Sequence, residues 1–283
     1  MPELPEVEIV GRGVSEAVAG RCLTAVVRRC ERLRWPVLPD LWDRIVAAAD
    51  GAAPVLQQVR RRGKYLLLGF PGSTLMIHLG MSGSLRHLPA DRPPGKHDHL
   101  DLVFGGRLLR LHDPRRFGAV LWAEGEPVRV EREHPRLAGL GVEPLADEFD
   151  VEWLFAASRG RRVGLKQFLL AGRVVNGVGN IYASESLFRA RLHPERLAGT
   201  LTMAECDRLV QAIRMTLLDA IAAGGSSLKD FVDSDGEVGY FQLQHRVYGR
   251  KGAPCSVCGT PIEAIRQQGR STFFCPECQP PIG

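Results

Sequence analysis

The period of the apolar positions changes near residue 130, and that change divides the chain. Over residues 6–19, apolar side chains recur at Val7, Val10, Val14 and Val18, the spacing of one helix face. Short runs rich in β-branched and aliphatic residues follow at 23–28, 55–60, 65–70, 74–79, 100–104, 107–111 and 119–122. Pro71-Gly72, Gly80, Pro93-Pro94, Gly105-Gly106 and Pro114 punctuate them, as turns between strands require. Seven short strands with a helix ahead of them predict a β-sandwich with that helix packed on it. Beyond residue 130 helical spacing takes over at 152–158, 165–170, 181–189 and 203–223, and the last stretch is strand-like again. The expected class is therefore α+β and multidomain. A β-sandwich domain spans 1–130, a hinge 131–150, a helical domain 151–242, and a small metal module 243–283.

Composition narrows the class without settling it. The chain has 283 residues, 45% hydrophobic and 24% charged, which is globular and not disordered. A net charge of +5 suits a polyanionic partner, although many proteins with other roles share it. No apolar run approaches the roughly 18 residues of a membrane span. The acidic, proline-broken start does not look like a signal peptide. A cytoplasmic location is expected.

Four of the seven cysteines form two C-x-x-C pairs, Cys255/Cys258 and Cys275/Cys278, with 16 residues between them. Such pairs on a hairpin present four thiolates to one zinc ion and leave no open coordination position. The expected cofactor is one structural Zn2+ that staples a hairpin too small to build its own core. Redox dithiol chemistry is the rival. The duplicated pair and the lack of a surrounding βαβ pattern argue against it. Cys22, Cys30 and Cys206 are scattered and read as packing residues. Arg270 lies between the two pairs. There it serves as a solvated charge or as an anion ligand.

The second residue carries a candidate nucleophile. Removal of Met1 before the small Pro2 exposes a secondary amine. α-Amino groups titrate near 8, so a useful fraction is neutral at pH 7. A neutral amine attacks an electrophilic sugar carbon to give an iminium intermediate. Glu3 beside it, with Glu6 one turn on, is placed for proton transfer. A merely frayed terminus is the alternative for these residues taken alone.

The segments MPELPEVE at the start, RRRGKYLLL at 60–68, HLGMSGSLR at 78–86, KHDHLDL at 96–102, HDPRRFG at 112–118, NGVGNIYASESLF at 176–188, SDGEVGYF at 234–241 and VYGRKGAPCSVCGTPI at 247–262 occur in this order. Together they resemble the bacterial formamidopyrimidine-DNA glycosylase family over essentially the whole chain. The resemblance implies a helix on a β-sandwich, then a helix–two-turns–helix domain with a zinc finger. It implies Pro2 as the Schiff-base nucleophile and Glu3 as the general acid/base. Lys64 would act in β-elimination and phosphate contact. Asn180 and Arg270 would clamp the phosphates flanking the lesion, with Arg270 also taking part in δ-elimination. His97, Arg115 and Arg161 match DNA-contacting positions, although Arg159 and Arg162 stand close to Arg161. Met81, Arg115 and Phe117 match the residues that fill the space left by an everted base. Taken alone, Met81 and Phe117 would be read as core residues at strand ends. The turn before Asn180 leads into a helix whose start suits a phosphate, and a helix cap explains Asn180 equally well. The Gly-rich loop at 234–240 would close over the flipped base.

The resemblance thus implies a bifunctional DNA glycosylase/AP lyase. Its partner would be double-stranded DNA containing an oxidised base, and a nucleoid-associated monomer without membrane contact is expected. Neither a redox cofactor nor a catalytic metal enters the mechanism. Two rivals remain. One resembles endonuclease VIII and removes oxidised pyrimidines by the same amine chemistry. The other is a non-catalytic zinc-finger DNA-binding protein, which would form no covalent adduct.

Overall fold

Helix α1 spans Leu4–Val18 and starts two residues before the apolar spacing alone requires. Pro5 sits in its first turn, where the missing N–H has no intrahelical partner to lose. Val7, Val10, Val14 and Val18 are all buried. Gly11 lets the helix lie close on its neighbours, because a Cβ there would stand 2.9 Å from Leu66 Cδ2. The computed structural model describes residues 2–225 and 245–281. These fall into two compact units, residues 2–138 with 223–225 and residues 139–222 with 245–281.

The first unit is a sandwich of two four-stranded antiparallel sheets. One sheet contains β1 (Ala25–Arg28), β5 (Ser84–Pro89), β6 (Asp98–Phe104) and β7 (Arg107–His112), in the order β1-β6-β7-β5. The other contains β2 (Gln58–Arg62), β3 (Tyr65–Phe70), β4 (Ser73–His78) and β8 (Ala119–Glu124), in sequence order along the sheet. Alternate residues of both sheets meet in one core: Leu66, Leu68 and Phe70, Leu75 and Ile77, Leu100, Leu102 and Phe104, Leu109 and Leu111. This is the period-2 pattern of strands with one face inward. The core also takes in the valine face of α1.

Sequence periodicity predicts seven strands here, and the structure has eight. The extra strand, β5, carries only Leu85 and Leu88 as aliphatic residues and lies at a sheet edge. An edge strand needs few buried side chains and tolerates a terminal proline. Two short helices also lack a pattern strong enough to predict them. Helix α2 (Leu41–Ala48) buries only Leu41 and Ile45. Helix α3 (Pro127–Glu133) lies partly in the segment read as a hinge and packs on β3 and β4, with the Pro127 ring over Gly69.

The second unit is built from α4 (Val151–Ser158), α5 (Leu165–Leu170), α6 (Asn180–Arg189), α7 (Met203–Ala222) and a hairpin of β9 (Glu263–Gln267) and β10 (Arg270–Phe274). Asp150 starts α4 by accepting the Trp153 N–H at 2.7 Å, an ordinary N-cap bond. Helix α6 is central. Every residue from Ile181 to Phe188 is buried, and α5, α7 and β10 pack around it. Among the described residues, no helix is long and apolar enough to cross a membrane.

Candidate active site and zinc centre

The start of the chain is held, not frayed. Pro2 is buried, and Glu3 is the extended N-cap of α1. Glu3 and Glu6 form a reciprocal capping box in which the Glu3 N–H donates to Glu6 Oε2 at 2.8 Å. Both carboxyl groups are about 1% exposed. A buried carboxyl at a helix N-terminus meets the positive end of the dipole. The first turn therefore fixes Glu3 directly after the candidate nucleophile.

Lys64 lies in the two-residue turn that joins β2 to β3, between the paired Arg62 and Tyr65. Gly63 takes φ 59° at the first turn position, where hairpins need a residue without Cβ. Lys64 is half-buried. Nearby, His78 ends β4 and faces Tyr65 edge-on at 4.8 Å. Burial, reinforced by the charges of Lys64 and Arg34, pulls the His78 pKa down to about 4. Its Nδ1 accepts the Gly80 N–H at 2.9 Å, so the neutral ring carries its proton on Nε2. Sequence reading did not single out His78, since a histidine at a strand end has no distinctive pattern.

Met81, Arg115 and Phe117 lie on two touching turns. Met81 is 40% exposed and Phe117 45%, so neither is the core residue its strand-end position suggests. The Arg115 guanidinium carbon stacks 4.8 Å from the centre of the Phe117 ring. Gly80 (φ 68°) allows the contact between the turns, because a Cβ there would stand 2.4 Å from the Phe117 carbonyl carbon. His97 is half-buried, and its ring lies 5.9 Å from that of His112.

In the second unit, Asn180 is the first residue of α6, and the N-cap is Gly179. The capping explanation of Asn180 therefore does not hold. Its Nδ2 instead donates to Ser271 O at 3.1 Å and Tyr248 Oη at 3.3 Å. Ser271 follows Arg270, so the helix start and the hairpin are joined at the residue beside that arginine. The hairpin turn itself is Gln268-Gly269, with φ 47° and 80°, as a two-residue turn of this hand demands. Arg270 is thus the first residue of the return strand and not the tip, and it is exposed.

Arg161, Arg173 and Arg270 line an open groove of about 370 Å³ with an apolar floor of Phe168, Leu170 and Val174. Arg159 is spent differently. It donates to Ser158 Oγ and Leu201 O and stacks on Phe155, which separates it from its neighbour Arg161.

Two buried charges support this surface, and sequence reading missed both. Lys166 is 1% exposed and donates to Ser271 O at 3.0 Å and Thr272 Oγ1 at 2.8 Å. Its signal was a lysine among the buried Leu165, Phe168 and Leu169 of α5. Glu185 accepts the backbone N–H groups of Arg246, Val247 and Tyr248 at 2.8–3.0 Å. A lone glutamate in an apolar helix was the only hint. The loop at 234–240 lies outside the described residues.

The four cysteines converge as their spacing predicts. The Sγ atoms of Cys255, Cys258, Cys275 and Cys278 all lie within 4.8 Å of one another. Three of the separations are 3.5, 3.5 and 3.9 Å. A zinc–sulfur distance near 2.3 Å gives tetrahedral edges of about 3.8 Å. The donor set therefore fits one four-coordinate zinc and fills its sphere. The metal would staple β9 and β10 beside a small core of Phe188, Val247, Ile262 and the thiols.

Three family models match in the order of these elements. They are the formamidopyrimidine-DNA glycosylase N-terminal domain over residues 1–120, the H2TH domain of the same enzymes over 140–232, and a zinc finger found in FPG and IleRS over 252–281. The formamidopyrimidine-DNA glycosylase of Aromatoleum aromaticum is 56% identical, with 99% of each chain covered. The chain belongs to the formamidopyrimidine-DNA glycosylase family. The crystal structure of the MutM (Fpg) protein from Thermus thermophilus matches with TM-score 0.83 and 41% identity, covering 98% of each chain. Lactococcus lactis Fpg bound to abasic-site DNA matches with TM-score 0.86 and 32% identity, covering 99% of this chain and 100% of that one. The family's sandwich, helical domain and zinc finger are the fold described above. Membership makes the protein a DNA glycosylase/AP lyase of base-excision repair.

Proposed function

We propose that the protein excises oxidised purines, 8-oxoguanine and formamidopyrimidines, from duplex DNA through a Pro2 Schiff base, and then nicks the strand by β,δ-elimination. The observation that carries this reading is the first turn of α1, where Pro2 directly precedes a buried carboxyl whose backbone is tied to Glu6. After loss of Met1, the Pro2 nitrogen attacks C1′ of the everted nucleotide, and the C1′–base bond breaks. Glu3 moves the proton that accompanies base departure and ring opening. The resulting iminium makes the C2′ proton acidic. Its loss expels the 3′ phosphate, and a second elimination expels the 5′ phosphate. Lys64 and Arg270 assist these eliminations.

Eversion costs a few kcal/mol of stacking and pairing. Phe117 and Met81 occupy the vacated step as an apolar wedge, and Arg115 donates to the orphaned cytosine. Their exposure suits insertion. His97, Arg161, Asn180 and Arg270 take phosphates, and the arginine-lined groove supplies the fixed charge. Structures of relatives support the substrate class. A mutant of Lactococcus lactis Fpg has been crystallised with Fapy-dG DNA, and MutM with carbocyclic 8-oxo-G DNA.

Lactococcus lactis Fpg has also been crystallised with oxidised-pyrimidine DNA, which favours a lesion range that reaches pyrimidines. A monomer acting on DNA in the cytoplasm, at the nucleoid, completes the proposal. Borohydride trapping on a panel of lesion duplexes tests it. A Pro2-dependent crosslink strongest on 8-oxoguanine is expected. The absence of any crosslink, or full activity with Met1 retained, would overturn it.

A further inference from the structure

We infer that the buried carboxylate of Asp113 is a positioning residue that sets the void-filling wedge, holding the Met81 turn and the Arg115–Phe117 turn as one edge. The inference rests on the wedge reading given above. Asp113 is 0% exposed. Its Oδ2 accepts the Gly118 N–H at 2.7 Å. Its Oδ1 accepts the Arg115 N–H at 3.3 Å and the Ser82 Oγ–H at 3.2 Å. One carboxylate therefore closes the turn that carries Phe117 and reaches across to the residue after Met81.

The main chain of Asp113 extends the same junction. Its N–H donates to the carbonyl of His97 at 2.9 Å, and its carbonyl accepts the Arg116 N–H at 3.3 Å. His99 Nε2 lies 2.9 Å from that carbonyl. Of the candidate DNA-contacting residues on these turns and on β6's approach, His97 and Arg115 bond to this residue, and Met81 and Phe117 each adjoin one that does.

The geometry needs such a fastener. Met81 and Phe117 have 40% and 45% of their surface exposed, so core packing does not orient them. Arg116, between Arg115 and Phe117, takes φ 55°, a left-handed conformation that costs energy without glycine. Gly80 lets the two turns touch, and strand pairing fixes their roots, His78 opposite Ala119 and Ser84 opposite His112. Hydrogen bonds from both turns to a single desolvated carboxylate fix the residues between those roots. A wedge that must enter a base step works only if its supporting shell is rigid.

Asp113→Asn keeps the shape but replaces one acceptor oxygen with an NH2, which faces an N–H or O–H donor whichever way it turns. Ser82→Ala cuts only the link to the Met81 turn. Both variants are compared with the parent on a duplex carrying 8-oxoguanine opposite cytosine, with 2-aminopurine beside the lesion to report base-step opening. Nicking of a preformed abasic duplex is followed in parallel. Asp113→Asn is expected to slow the fluorescence step and excision by about tenfold and abasic nicking by no more than about twofold, and Ser82→Ala to slow the same early step by about threefold.

An unchanged fluorescence step in Asp113→Asn overturns the inference, as does equal loss on both substrates, which marks a general structural role. If Asp113→Asn fails to fold, Ser82→Ala decides, and an unchanged opening step in it overturns the proposal. Phe117→Ala runs alongside. If it shows no split between the substrates, the wedge reading has failed and takes this inference with it. If it splits them while the Asp113 and Ser82 variants do not, the inference alone fails.

Discussion

The sandwich and the zinc hairpin hold their functional groups by different physics. In the first unit, more than twenty buried side chains from the strands and two helices form one apolar cluster. Pro2, Glu3, Met81 and Phe117 sit at its margins. In the second unit, the hairpin bearing Arg270 has a core of five buried residues, two of them cysteines. It is held instead by four thiolates and by Lys166 and Asn180 on the Ser271 carbonyl, while Glu185 ties down the segment leading into it through three backbone N–H groups. Apolar burial is non-directional and spread over many side chains, whereas a metal and a few desolvated charges are directional and fail one at a time. The proposed chemistry therefore rests on the distributed scaffold, to which one buried carboxylate fastens the wedge, and the phosphate grip rests on the brittle one.

The sharpest way to break this division is at Pro2. Pro2→Gly should lower single-turnover base excision by roughly a thousandfold or more while leaving DNA affinity near that of the parent. Parallel loss of both would remove the nucleophile from the first unit.

Metal removal is the next largest test. Structural zinc binding is worth about 10–16 kcal/mol in small finger peptides at neutral pH. Cys275→Ser, or chelation, should expose the backbone amides of β9 and β10 to rapid hydrogen exchange and weaken DNA binding. The sandwich amides should stay protected. Retained stoichiometric zinc in Cys275→Ser, or collapse of both units together, would contradict the contrast.

Phe117→Ala should slow excision of 8-oxoguanine by about tenfold and barely slow nicking of a preformed abasic site. Equal slowing on both substrates would remove Phe117 from the eversion step.

Lys166→Met probes the brittle scaffold more gently. It leaves the Ser271 carbonyl and the Thr272 hydroxyl short of a buried donor, a cost of about 1–3 kcal/mol. Calorimetry should place that loss in the second unit, and a loss shared by both units would count against it.

The smallest expected effects are acid-dependent. His78, with its pKa depressed to about 4 by burial, favours the folded state fully above pH 6.5. That contribution is lost as pH falls toward 4, because the unfolded histidine binds its proton first. Glu205 is lowered to about 2, chiefly by its bonds from Arg196. Its stabilisation is present above about pH 4.5 and disappears as pH falls toward 2. His78→Gln should therefore flatten the stability slope of the sandwich between pH 6.5 and 4. Glu205→Gln should destabilise the second unit at pH 7 and match the parent near pH 2. An unaltered slope in either variant would show that the titration lies elsewhere.

How far the sequence could be read differed between these regions for a definite reason. Strong periodic patterns reported themselves. The valine face of α1, the aliphatic runs of β3 and β4, and the helices α5 and α7 lie within two residues of their expected bounds. Weakly patterned elements did not, since β5, α2 and α3 bury only two residues each. The candidate site divides in the same way. Paired cysteines at fixed spacing announce a tetrahedral donor set, and the resemblance marks Pro2, Glu3, Lys64, Asn180 and Arg270 as candidates. Asp113, His78, Lys166 and Glu185 were not singled out, because a single polar residue in an apolar run carries no period.

By itself, then, the chain determined the strand and helix periods, the zinc ligands and the family. Those are properties of local spacing and residue type, which survive without coordinates. Only the tertiary structure decided that Met81 and Phe117 face solvent, that Gly179 and not Asn180 caps α6, and that one carboxylate gathers two turns. Each of these depends on which groups distant in sequence come within hydrogen-bond reach, and close packing sets that distance, not periodicity.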